Sequence, residues 1–106
     1  MSRPKIIKVS MGRDLRFTGK RLAQAESPIQ ANSRNVYTLY LTNKGIYVLH
    51  DETISADGKK EVWASAKIFR TLTGLLEWVD QCHHDNATMK LLLDKAGIDY
   101  YRDVQP

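Results

Sequence analysis

Cys82-His83-His84-Asp85 is the one run of this sequence where residues able to ligate a metal or move protons stand together. Structural zinc takes four protein ligands, commonly in paired spacings such as CxxC with HxxxH, and no such pairing occurs here. On a helix, consecutive side chains point about 100° apart and cannot converge on one ion. The run is therefore read as structural: Cys82 or His83 extends a buried stripe, and His84 with Asp85 ends the helix. His50 stands in a strand-like run with no partner that its position names. Neither a metal nor a cofactor is expected.

Other routes to catalysis find no purchase. Ser10, Ser27, Ser33, Ser55 and Ser65 lack the GxSxG setting that exposes a nucleophile on a strained turn. The glycines form neither GxxxxGK[ST] nor GxGxxG, so no phosphate cradle is encoded. Asp51-Glu52 falls where a turn is expected and reads as a solvated pair. The chain is read as non-enzymatic.

Charge offers more. Residues 1–50 hold nine Lys/Arg against Asp14 and Glu26, whereas residues 51–106 hold seven against ten Asp/Glu. Arg13, Arg16, Lys20 and Arg21 lie on or beside one expected strand pair, and Tyr37, Tyr40, Tyr47 and Trp63 lie on the expected sheet. A basic rim with aromatic platforms suits single-stranded nucleic acid, where bases stack on rings and phosphates meet cations. Arg13, Arg16, Lys20, Arg21, Tyr40 and Trp63 are thus the candidate surface for nucleic acid or a protein partner. No ribonucleoprotein, helix-turn-helix or zinc-finger pattern accompanies them.

The elements that must position these residues follow from periodicity. Ile6–Met11 is short and β-branched, so it reads as a strand. Gly12-Arg13-Asp14 turns the chain, and Leu15–Thr18 returns it through a bulge at Gly19 into Lys20–Ala25. Residues 26–35 read as a loop. Val36–Thr42 and Ile46–His50 flank Asn43-Lys44-Gly45, a three-residue connection whose last glycine fits the left-handed position of a hairpin. That register sets Leu41 opposite Tyr47, Leu39 opposite Leu49, Tyr40 opposite Val48 and Thr38 opposite His50.

Ser55–Lys59 is a second turn, leading into Glu61–Phe69. There Val62, Ala64, Ala66 and Ile68 share a face whose small side chains suit a helical layer. Leu72, Leu75, Leu76 and Val79 then follow helical spacing, capped by Thr71 or Thr73. A second helix is expected from Asn86 through Met89, Leu92, Leu93 and Ala96, stopping at Gly97. The tail from Ile98 reads either as a short edge strand or as extended chain.

The order of elements predicts one α+β domain over residues 1–106: an antiparallel, mainly hairpin-connected sheet of about five strands followed by two C-terminal helices. The central hairpin is apolar on both faces. Either the N-terminal strands fold over the second face as a half-barrel, or a second copy of the chain covers it. A homodimer is the favoured expectation, because large apolar patches usually mark contacts.

Three stretches, Phe17–Ala23, Val36–Gly45 and Phe69-Arg70-Thr71-Leu72, resemble the bacterial EXLDI family. The similarity spans residues 5–80. It departs from that family in lacking a ribbon-helix-helix-like N-terminal segment and in reading Ala96-Gly97-Ile98-Asp99-Tyr100 near the C-terminus. The resemblance implies association with small DNA-binding regulators and supplies no catalytic residues.

The function expected first is a small bacterial interaction or regulatory module acting through protein contacts, with an unidentified protein partner. A nucleic-acid-binding protein using the basic strands comes second, and a phage- or plasmid-encoded inhibitor of a host defence system third. No apolar stretch approaches the roughly 20 residues that span a bilayer, so no membrane partner is expected. One cysteine, Cys82, precludes an internal disulfide and fits a cytoplasmic protein.

Overall fold

The computed structural model describes residues 3–82, 85–101 and 104. Six strands, β1 (Lys5–Ile7), β2 (Leu15–Phe17), β3 (Gly19–Glu26), β4 (Ser33–Thr42), β5 (Tyr47–Ser55) and β6 (Glu61–Phe69), precede α1 (Leu72–Asp80) and α2 (Asn86–Lys95). β3-β4-β5-β6 form an antiparallel sheet in sequence order, and β1-β2 form a separate antiparallel ribbon. This is the expected α+β fold. Six strands appear instead of about five because the second expected strand breaks at Thr18 into β2 and β3.

The break has a steric cause at Gly19. A Cβ there would lie 2.3 Å from the Leu41 carbonyl oxygen and 2.7 Å from Thr42 Cα, so only glycine lets β3 start against β4. The bulge expected at Gly19 lies instead between Arg21 and Ala23. At the central hairpin the register is as read from sequence: Leu41 opposite Tyr47, Leu39 opposite Leu49, Tyr40 opposite Val48 and Thr38 opposite His50. Gly45 takes φ +82° to close it.

The core lies between one sheet face and the helices. Ala23, Ala25, Tyr37, Leu39 and Leu49 meet Leu75, Val79, Met89, Leu92 and Leu93. Thr71 accepts a hydrogen bond from the Gly74 amide, capping α1. α2 ends in a Schellman turn: Ile98 N–H reaches Leu93 O at 2.9 Å, and Gly97 takes φ +73°. From Ile98 to Tyr101 the tail forms no strand.

The face of β6 given to the helices is the reverse of the expected one. Leu49 pairs with Lys67 and Tyr47 with Phe69, so the odd-numbered residues share the helix face. Phe69 packs on Trp78 with ring centroids 5.7 Å apart, and the Lys67 ammonium lies 5.7 Å from the Trp78 ring centre. The lysine stem covers apolar surface while its charge stays wet. The small residues that let a helix approach closely are Ala23 and Ala25 on β3, not Ala64 and Ala66.

The N-terminal ribbon and the segment after β1 lie over the part of the second sheet face around Tyr40, His50 and Ala64, in the manner of the first of the two alternatives. Ile7 is buried, Phe17 meets Tyr40 edge-on at 5.2 Å, and the Lys8 carbonyl accepts from His50 Nε2 at 2.8 Å. Ser10 then bridges to the outer edge of β6, its amide donating to Ala64 O and its hydroxyl accepting from Ala64 N–H. The ribbon remains a separate sheet from β3-β4-β5-β6, and Ile68, opposite Val48 on this face, stays 55% exposed. No helix among the described residues is long and apolar enough to cross a membrane.

Candidate nucleic-acid interface

The β2–β3 junction and the β4–β5 turn enclose a groove of about 510 Å³ lined by Arg16, Phe17, Thr18, Asn43, Lys44 and Ile46. Its walls are fixed by backbone. Asn43 N–H donates to Thr18 O at 2.8 Å, and Thr42 Oγ1 accepts from the Lys44 and Ile46 amides. Those amides are occupied, so an anion in the groove meets side-chain donors: the Arg16 guanidinium, the Lys44 ammonium and the Asn43 amide.

Arg21 extends this basic end. It pairs with Tyr40 across the ladder, and Tyr40 packs on Phe17 at the groove wall. Burial, then the charge of Glu52, pushes the Tyr40 hydroxyl above its ordinary pKa, while Arg21 is close enough to act in the opposite direction. Lys20, opposite Leu41, adds a fourth exposed cation at the same end on the other sheet face. Among the described residues the only Lys or Arg within 4 Å of a carboxylate is Arg34, 3.6 Å from Glu26, and His50 Nδ1 lies 3.5 Å from Glu52. Arg16, Lys20, Arg21 and Lys44 therefore carry no carboxylate partner there.

Two of the sequence candidates fall outside this end. Arg13 lies in the turn beyond the ribbon pairs, and Trp63, opposite Thr53, lies at the far end of β6 on the helix face. Tyr40 is half-buried beneath Phe17, so it supports the groove wall rather than offering a free stacking face. Sequence reasoning did not single out Phe17, Asn43 and Lys44 as site residues. Their signal was positional, since a hairpin turn and a strand junction meet only once the register is built.

A second polar group sits under the helices. Tyr37 donates to Asp85 Oδ2 at 2.5 Å, Asn35 Nδ2 reaches the same oxygen at 3.4 Å, and Thr53 donates to Asn35 Oδ1 at 3.0 Å. Asp85 precedes α2 in the left-handed conformation, with its carboxylate turned to Tyr37 rather than capping the helix. It does not end α1, which stops at Asp80, and His83 and His84 lie outside the described residues. Burial, then the bond to Asp85, drives the Tyr37 hydroxyl far above its ordinary pKa, and burial also raises the Cys82 thiol. A raised thiol is a poor nucleophile at neutral pH. The cluster fastens the α1–α2 connection to the sheet. No group of three His, Cys, Asp or Glu side chains able to hold a metal occurs among the described residues.

Asp51 and Glu52 are not a solvated turn pair; both stand within β5 and are partly buried. Asp51 Oδ1 has no hydrogen-bond partner. Burial and then the charge of Asp85 hold its carboxyl above the usual value, with His50 and Lys67 opposing them. The folded state thus binds this proton more readily than the unfolded chain. Stability falls as pH rises from the ordinary carboxylate value through the folded one, and the penalty is fully present above. Asp51→Asn is expected to raise the thermal midpoint at pH 7 and to lose that gain at about pH 3. An equal midpoint for both proteins at pH 7 would contradict this reading.

The chain matches no family model, no curated protein and no solved structure.

Proposed function

We propose that this chain is a non-enzymatic binding module whose basic end receives single-stranded nucleic acid. The observation that carries the reading is a groove walled by Phe17 and lined by Arg16 and Lys44, with Arg21 opposite Tyr40 at the same end of the sheet, all three without carboxylate partners among the described residues. Exposed cations about a rigid groove attract a flexible polyanion through phosphate contacts and counterion release. Single strands fit better than duplex: α1 carries no Lys or Arg, and α2 carries only Lys90 and Lys95 among the described residues, so neither offers the basic helix that reads a major groove. Phe17 and Ile46 give a base an apolar wall to lie against.

Two of the stretches that resemble EXLDI contribute to this groove, Phe17 and Thr18 from one and Thr42, Asn43 and Lys44 from the other, in keeping with a role beside DNA-binding regulators. A homodimer would have less of the second sheet face to use, since the N-terminal ribbon lies over the part around Tyr40 and His50 while Ile68 stays exposed.

The test is an anisotropy titration of a fluorescein-labelled single-stranded 12-mer at low and physiological salt. Binding is expected to weaken steeply with salt. Replacing Arg16, Arg21 and Lys44 together by glutamine should flatten the slope of log K against log salt by about 2, roughly 0.7 for each phosphate contact removed. A triple variant that binds like the parent would remove this end of the molecule from the reading.

A further inference from the structure

The groove at the β2–β3 junction is lined by more than cations and apolar rings. Thr18, Thr42 and Asn43 face it together with Arg16, Lys44, Phe17 and Ile46. Thr42 Oγ1 already accepts from the Lys44 and Ile46 amides, at 3.3 and 3.0 Å, so its own O–H is left to donate. Among the described residues no hydrogen bond engages the Thr18 hydroxyl or the Asn43 side-chain amide. The main chain pins both segments: Asn43 N–H donates to Thr18 O and Thr42 N–H to Ile46 O, each at 2.8 Å. Three uncharged polar side chains thus stand on a fixed frame with hydrogen bonds still to make.

Those bonds are of two kinds. The hydroxyl protons and Asn43 Nδ2 are donors, and they suit phosphate oxygens as the cations do. Thr18 Oγ1 and Asn43 Oδ1 are acceptors, which no phosphate oxygen can satisfy. An acceptor that loses its water without gaining a donor weakens binding. A strand that fills this groove must therefore bring a donor of its own. The sugar–phosphate chain of DNA carries acceptors only; its donors sit on base edges and change with sequence. In RNA every ribose adds a 2′-hydroxyl that both donates and accepts. One such hydroxyl beside each phosphate answers the mixed set at Thr18, Thr42 and Asn43 whatever the base.

We propose that the groove selects RNA over DNA, with Thr18 and Asn43 hydrogen-bonding a ribose 2′-hydroxyl and Thr42 donating beside them. This selectivity rests on the single-strand reading of the groove. Arg16, Arg21 and Lys44 attract the phosphates of either polymer, and the uncharged side chains tell the two apart.

The test titrates the full chain with fluorescein-labelled 12-mers of adenine only and of cytosine only, each made as RNA, DNA and 2′-O-methyl RNA. RNA is expected to bind about tenfold tighter than DNA in both sequences, the scale of one or two hydrogen bonds. The 2′-O-methyl strand keeps the oxygen but has no proton to donate, and should bind near the DNA level. Thr18→Val and, separately, Asn43→Ala should each cut the RNA preference to about threefold or less. The salt slope of RNA binding should stay as in the parent, which general damage to the groove would not allow. Equal affinity for RNA and DNA, a preference confined to one base, RNA no better than its 2′-O-methyl form, or a preference kept in both variants overturns the proposal and leaves the single-strand reading standing. No binding of any strand overturns both.

Discussion

Leu39→Ala is expected to lower the unfolding free energy by about 4 kcal/mol, within the range for removing a fully buried leucine. Leu39 has no exposed surface and lies between Ala23 and Leu49 on the face that receives both helices. Its neighbours on β3 are already alanines, so they have no long side chains that could swing into the space. The cavity therefore persists, and the cavity term adds to the lost transfer free energy. Since a domain of this size holds roughly 5–15 kcal/mol in all, the variant should be close to unfolded at physiological temperature. Urea titration followed by far-ultraviolet circular dichroism measures it. A loss below about 1.5 kcal/mol would mean that the helices settle onto the sheet and close the cavity.

Gly19→Ala is expected to be nearly as costly, about 3 kcal/mol, although it adds only one methyl group. Its φ is ordinary, so the effect is steric rather than conformational. The new Cβ would meet the Leu41 carbonyl oxygen and Thr42 Cα, both backbone atoms of a strand locked on its other side to β5. The yielding partner must be the chain at Thr18, which holds the groove wall through Asn43. The variant should thus lose oligonucleotide affinity as well as stability, even at temperatures where it remains folded. Equilibrium unfolding and anisotropy on the same preparation separate the two effects. A stability within about 0.5 kcal/mol of the parent would show that β3 can shift away from β4 at little cost.

These two positions also show what the sequence made legible. The Asn43-Lys44-Gly45 turn specified a register by itself, and that register placed Leu39 opposite Leu49. Helix limits followed from Thr71, the leucine spacing and Gly97. The β6 face was misread because Lys67 looks like a solvent residue and Ala64 like a helix-packing one. A lysine stem lying along Trp78 reverses that polarity, and nothing local to β6 encodes the tryptophan's position. Asp51 and Glu52 were placed in a turn because two adjacent acids rarely occupy a half-buried strand. His50 neighbours them on the same strand, but Asp85, whose charge acts on Asp51, comes from elsewhere in the chain.

The candidate site was legible in composition more than in place. A charge excess in the first half pointed to Arg16, Lys20 and Arg21, and the fold gathers these at one end of the sheet. Trp63 was included because strand aromatics resemble stacking platforms. Its distance from the basic end depends on strand order, which hydrophobic period does not reveal. Of the two partners of His50, Glu52 is two residues along its own strand, and the Lys8 carbonyl belongs to a segment that crosses the sheet and that local pattern does not place.

The most direct measurement of the central claim is a map of amide chemical-shift changes on titrating the isotopically labelled chain with a single-stranded oligonucleotide. The account predicts shifts concentrated at Arg16–Arg21 and Tyr40–Ile46, fading as salt is raised, with the helices and the far end of β6 unmoved. Shifts centred on α1, α2 or Trp63, or no shifts at low salt, would contradict it.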